Sequence, residues 1–571
     1  MQQLKCDVLV IGAGLAGCWA AIRAREIAQK VILVDIAKVA KSGKSSFSGA
    51  GILCPQESDD LDMWQKEIVE KGQYFSDQDC VRAMLEEQPK RLDEMGQWGM
   101  KFEYDKNGKV FRHVGLNHVN TRIITVDSLE MMDALRKRMT GLGVTFLERV
   151  MVTDLLTSDG ASPTQGYVVG ATGFNIRSGE TFAINAGATI IATGGTGFFG
   201  SMGEGIIQAY RAGAELTGME FTRAFDEMGF NDRYIGVHLN TYQRLGMKLV
   251  NAAGERFMER YLPSLKERGR REDLGLAIVS EGMQGRAPIY MDLRHFDEES
   301  MNKLHTLPSI SRVVASLEDE GIDFRNQLVK YVVTSGYLWS RAGGIRNNVY
   351  GETNLPGLFV AGEAGGYPTH GTYSVGGVNL ASCCVGGYRA GEYAARFAGE
   401  SGTKPLVSEQ VKSMEARALQ PLKAATGISP ANLADEIATF ISPARIAVFQ
   451  DGSTIRKVLD RAEDWQAKAG QLKVEDYHGL VKANRLSSYV QGAEIVYNGH
   501  LEREETRSVN IRIDFPFTDN VNWLKWIVQW KDRSGKLAMK KVPVPLYRYP
   551  VKPKEYTKIP VNLHYSKPEG E

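Results

Sequence analysis

The chain has 571 residues and 63.1 kDa, more than one hydrophobic core usually holds, so two or three domains are expected. Its 69 basic and 68 acidic residues nearly cancel, to a net charge of +1, which leaves no global field to draw it to nucleic acid or anionic lipid. No apolar run reaches the about 18 residues of a membrane span, and the opening MQQLKCDVLVIGAG enters a strand without the charged and apolar regions of a leader, so a cytoplasmic protein is expected.

Cys6 to Ile11 (CDVLVI) is a short apolar run of the kind a buried parallel strand shows. Gly12-Ala13-Gly14-Leu15-Ala16-Gly17 follows and opens a helical stretch, and a second apolar strand, VILVD, ends in Asp35, 18 residues beyond Gly17. Each position has a physical use. Gly12 permits the tight turn, Gly14 lets the backbone approach a pyrophosphate, Gly17 lets helix and strand pack, and the helix N-terminus offers amides to phosphate. Asp35, followed by Ile36, accepts from ribose hydroxyls. The pattern predicts a dinucleotide site without separating FAD from NAD.

The next segments carry a family resemblance. Ser42-Gly43-Lys44-Ser45-Ser46 with Gly49-Ala50-Gly51 resembles the flavin-wrapping loop of the succinate dehydrogenase and fumarate reductase flavoprotein family. Ala192-Thr193-Gly194-Gly195 is similar to its second glycine turn, and Gly203-Glu204-Gly205 to its TGDG element, with Glu204 for the aspartate. NLPGLFVAGEAGG, with Gly362 and Glu363, and HGTYSVGGVNLAS, with His370, Ser374, Asn379 and Leu380, are similar to its C-terminal FAD elements. The resemblance covers nearly the whole chain, since NAAGERFMERY resembles the family's capping domain and LEREETRSVNIRIDFPFTDNVNW its C-terminal segment. It implies FAD and an α/β fold: a Rossmann-like FAD-binding domain (1–220 and 345–400), an inserted α+β capping domain (221–344), a C-terminal helical domain (404–515) and an extension (516–571). The proline- and lysine-rich tail KKVPVPLYRYPVKPKEY cannot be helix, and is expected to be an extended strap or disordered, its lysines a solvated face rather than a docking strip.

The chemistry departs from the family in named places. Lys44 stands where covalent flavin attachment needs a histidine, so FAD is expected to be noncovalent. The family's FHPTG has become Ala224-Phe225-Asp226-Glu227-Met228, its RGEGG arginine falls at Gln243 with Arg244 one place along, its HYxMGG histidine at Trp339, and its HGANRLGG arginine at Ser374. Two carboxylates need two cationic or donor clamps, so ordinary succinate or fumarate turnover is not expected. The adenylylsulfate reductase alpha subunit, a second branch with noncovalent FAD and a ferredoxin-like partner, is similar in the uncharged flavin loop, in PIYMD and in the stretch leading to His370.

Residues expected at the flavin face are Trp339, Arg341, Arg346, His370, Tyr373 and Ser374, with Arg223, Asp226, Arg233, Gln243 and Arg244 reaching in from the cap. Arg341 or Arg244 suits an anionic substrate and His370 or Tyr373 a proton transfer, with Trp339 beside them; His370 as a flavin-positioning group and Trp339 as a packing lid are the alternatives. Arg223 and Arg233 read as surface ion pairs, and His113 and His118 as a solvent loop. The six cysteines form no CxxC pair and no metal set with histidine. Electrons are therefore expected to pass from a small-molecule substrate to a separate carrier, by analogy an iron-sulfur subunit. The alternatives are a conventional fumarate reductase or succinate dehydrogenase flavoprotein, and a flavin electron conduit without its own substrate site.

Overall fold

The structure, a computed structural model, describes the chain except for residues 49–50, 116–117, 196–202, 222–227, 231–238, 308–309, 334–342, 367, 373–374 and 564–571. β1 (Gln2–Ile11), β2 (Val31–Asp35), β3 (Thr145–Glu148), β4 (Val150–Thr157), β5 (Val168–Asn175), β6 (Thr181–Ile191) and β7 (Leu358–Val360) form one sheet in the order β3-β2-β1-β6-β5-β4, with β7 also on β6. The pairs β3–β2, β2–β1, β1–β6 and β6–β7 are parallel, while β5 and β4 add antiparallel edges. Val8, Leu9 and Val10 of β1 are buried on both faces, as an uninterrupted apolar run requires in a sheet covered on both sides.

One face is covered by α1 (Leu15–Ile27), α2 (Leu61–Lys71), α3 (Gln78–Gln97) and α5 (Val378–Ser401). The other is covered by α4 (Glu204–Ala212) and the C-terminal helices, of which α6 (Tyr477–Glu502) is the longest. α1 and α5 approach closely because both carry small residues where they cross: a Cβ on Gly387 would stand 2.4 Å from Ala16 O, and one on Gly391 2.4 Å from Ala20 O.

The cap has an antiparallel sheet of its own, Met228–Phe230, Val329–Val333, Ile289–Asp292 and Lys248–Val250 in that order, with a separate core around Leu249, Met291 and Tyr331. Both ends of this insertion meet. Leu216–Thr217 and Gly344–Ile345 pair antiparallel, Thr217 opposite Gly344, and the C-terminal strand Lys525–Lys531 adds to the same sheet. Of the two readings of the tail, residues 537–563 take the strap: Leu537–Pro543 pairs with Lys525–Lys531, and Val544, Leu546 and Tyr549 are buried against Phe75 and Phe221. Two of its lysines are in ion pairs, Lys540 with Glu215 and Lys541 with Glu502.

Candidate functional site

The ends of β1, β2 and β6 meet at the glycine loop. Gly12 has φ +100°, and a Cβ there would lie 2.5 Å from Ala192 O, so the turn closes against the end of β6 only with glycine. Asp35 Oδ2 accepts from Ala13 N at 2.8 Å and Oδ1 from Ala37 N at 2.7 Å. Burial raises its pKa, against which these two amides act. Ser45 Oγ accepts from Leu15 N at 3.0 Å, bringing the second predicted loop, with its buried Ser46, onto the start of α1. Lys44 Nζ donates to both oxygens of Glu363 at 2.9 Å, and a Cβ on Gly195 would sit 2.8 Å from Glu363 Cγ. Gly205 packs against Thr193, so Glu204 opens α4 beside the Ala192-Thr193-Gly194 turn.

These residues fit a dinucleotide of FAD's kind. α1 is capped by Gly14 and α5 by Gly377; neither cap has a side-chain bond, and neither helix has an acidic residue in its first turn. Both N-termini thus offer amides and positive potential to an anionic or acceptor-rich ligand. In the first turn of α5, beside Leu380, Asn379 Oδ1 is buried without a partner among the described residues. Gly377, at φ +86°, lies against the strand Gly51–Leu53, with Leu53 N donating to Gly377 O at 3.2 Å. Gly362 opens the turn that presents Glu363.

The histidines read as a solvent loop are corrected by the structure. His118 is 7% exposed, with Nδ1 2.6 Å from Thr121 Oγ1 and Nε2 turned to Gly376, whose Cβ would meet it at 3.1 Å. The loop is held from α2, where Glu67 accepts from the amides of Val119, Asn120 and Thr121 at 2.7, 2.7 and 2.9 Å. Burial drives the His118 pKa down to about 4, so the ring is neutral near pH 7. His113 is lowered too, by burial and then by the charge of Arg244 across from the cap. No local pattern announces either placement, because the contacts come from α2, the 370s turn and the cap.

His370 is buried, and its turn packs under the α2–α3 junction, where Thr372 N donates to Gly72 O at 3.2 Å. Arg244 is exposed beside His113. Gln243 does not reach into the site: it is buried in the cap, donating to Glu267 O at 2.5 Å and to Gly269 O at 3.0 Å. Arg346 pairs with Glu215 at 2.6 Å, at the base of the cap. Gly49, Ala50, Arg223, Asp226, Arg233, Trp339, Arg341, Tyr373 and Ser374 lie outside the described residues. Arg485, which no motif marks, reaches Glu204 from the helical domain.

Residues 7–380 match the family model described as FAD binding domain, and 441–557 the one described as fumarate reductase flavoprotein C-term. The chain is 30% identical over 540 residues to a fumarate reductase (CoM/CoB) of Methanothermobacter marburgensis, covering 90% of this chain and 95% of that one. It is 26% identical over 584 residues to a fumarate reductase flavoprotein subunit of Haemophilus influenzae, covering 95% of each. Among solved structures, an Escherichia coli quinol fumarate reductase chain superposes with TM-score 0.86 at 23% identity, over 97% of this chain and 99% of that chain. The adenylylsulfate reductase of Archaeoglobus fulgidus superposes with TM-score 0.77 at 19% identity, over 95% of this chain and 96% of that chain. At these identities the superpositions speak for the fold.

Proposed function

From a chain that belongs to the FAD-binding family of fumarate reductase-type flavoproteins, and is an FAD-dependent oxidoreductase, we propose a subunit passing an electron pair between an organic or sulfur-containing substrate and an iron-sulfur partner. The observation that carries this reading is Gln243: the place of the family's clamping arginine is used inside the cap, while Arg244 faces His113 across the site. Such a pocket keeps the scaffold and changes what it grips.

FAD, when bound, supplies the hydride and electron chemistry. In this reading it is noncovalent, with Lys44 balancing Glu363 instead of offering an imidazole for attachment. The glycine loop and Asp35 hold the adenosine half, and Glu363, Gly377 and Asn379 hold the flavin half. Arg244 and Arg341 attract an anionic group on the substrate. His370 or Tyr373 moves a proton, Trp339 covers the face, and the neutral ring of His118 donates or accepts a hydrogen bond from under Gly376.

Fumarate reduction itself is the second reading, favoured by the names of the relatives at 26–30% identity. Anaerobic photoreduction of the flavin, followed by fumarate, other enoates, sulfur compounds and an iron-sulfur acceptor, separates the two. Reoxidation by a sulfur compound or by an enoate other than fumarate supports the first; reoxidation by fumarate alone supports the second. A flavin that none of them reoxidises dismisses both and leaves the conduit. Acid precipitation should release intact FAD to the supernatant, and yellow colour retained in the pellet refutes noncovalent binding.

A further inference from the structure

α6 belongs to the helical domain, yet it lies along α4 at the edge of the cofactor crevice. Two contacts fix the alignment: Arg211 Nε donates to Gln491 Oε1 at 2.8 Å, and Arg485 Nε stands 2.7 Å from Glu204 Oε1. Glu204 is the first residue of α4, and its neighbour Gly205 packs against Thr193 at the end of β6. Arg485 is therefore brought to the carboxyl ends of the central strands, where open α/β sheets bind their ligands.

Its donors are not used up there. The Nε–H of Arg485 is buried and not aligned on an acceptor, so the contact with Glu204 is one of charge, and no other ion pair or hydrogen bond of the guanidinium is formed among the described residues. The carboxyl of Asp35, held on the glycine loop by Ala13 N, also feels the Arg485 charge. Two carboxylates thus flank one guanidinium at the end of the crevice where a dinucleotide presents ribose hydroxyls and diphosphate oxygens. Without a cation there, Asp35 and Glu204 would oppose a diphosphate; with one, the fork has acceptors to bind.

We propose that Arg485 of the helical domain is part of the FAD site, donating to the ribose–diphosphate half of the cofactor and closing the crevice from outside the FAD-binding domain. FAD binding and the seating of α6 on α4 are then a single event.

The test is FAD and ADP affinity of the FAD-free full chain, by titration, for wild type, Arg485→Gln and Arg485→Lys. Arg485→Gln is expected to weaken FAD and ADP alike by at least tenfold. Arg485→Lys, which keeps charge and stem but loses the fork, should fall between, and it carries the test if the glutamine variant does not fold. Wild-type affinities in the variants overturn the proposal, and so does weaker FAD with unchanged ADP, which would put the lost contact at the flavin half. Failure of wild type to bind FAD at all would instead refute the cofactor assignment.

Discussion

A carboxylate that accepts three successive amides leaves a loop little freedom, and Glu67 does this for Val119, Asn120 and Thr121. The consequence falls on His118, which is buried neutral. Its pKa is about 4 in the fold against 6.5 for the free side chain, so from pH 6.5 downward the unfolded chain binds a proton that the native one refuses. Stability assignable to His118 is intact above about pH 6.5 and is lost progressively down to about pH 4, by about 3 kcal/mol. His118→Gln removes this dependence. Urea unfolding should show the stability difference, wild type minus variant, shrinking by about that amount between pH 7 and pH 4; a pH-independent difference contradicts it. At this scale legibility was uneven. Asp35 and Gly12 follow from adjacent residues in one strand-turn-helix unit, whereas the Lys44–Glu363 pair and the His118–Gly376 approach join residues hundreds of positions apart.

Among the elements, the entry of α1 is the tightest fit. A Cβ on Gly17 would come 1.9 Å from Gly12 O, and neither backbone has a rotamer with which to give way. Gly17→Ala should displace α1 from the end of β1, cost about 1–3 kcal/mol, and lower FAD affinity at least tenfold by moving the amides that face the phosphates. An unchanged affinity in a flavin titration refutes this. β1, α1 and β2 were readable because an apolar run, a glycine turn and an acid each state their local geometry. The loop of His113 and His118 was not, since its sequence is polar and its burial is imposed by α2 and the 370s turn. Gln243 misled for a related reason: a motif position says which residue stands there, while the cap core decides which way it points.

In the whole molecule the domains are joined by charge as well as by apolar contact. Arg503 binds Glu220 at 2.7 Å and Glu505 at 2.8 Å, with Arg507 on Glu505 at 2.7 Å, all of them essentially inaccessible. Glu220 ends the first part of the FAD-binding domain, and the arginines begin the segment after α6. Phe75, Phe221 and Trp523 surround Arg503, each within 5.3 Å of its guanidinium carbon. Arg503→Leu leaves two buried carboxylates short of a counter-charge and should cost about 3–5 kcal/mol, read as a lowered urea midpoint; a loss below about 1 kcal/mol would show the network to be dispensable. The domain order could be read from the resemblance, but the return of residues 525–543 to pair beside Leu216–Thr217 could not, because strand pairing over such a span leaves no local mark.

That pairing makes the cap a parenthesis in the chain. Thr217 and Gly344 are cross-strand neighbours, so the segment between them departs and returns at one place, as the turn of a hairpin does. Its size is therefore nearly irrelevant to the fold beneath, since the entropy of closing the loop rises only slowly with length. A lineage, or an engineer, can exchange everything between those two residues for a different lid, or for a short turn, and leave the register of the strands on either side untouched.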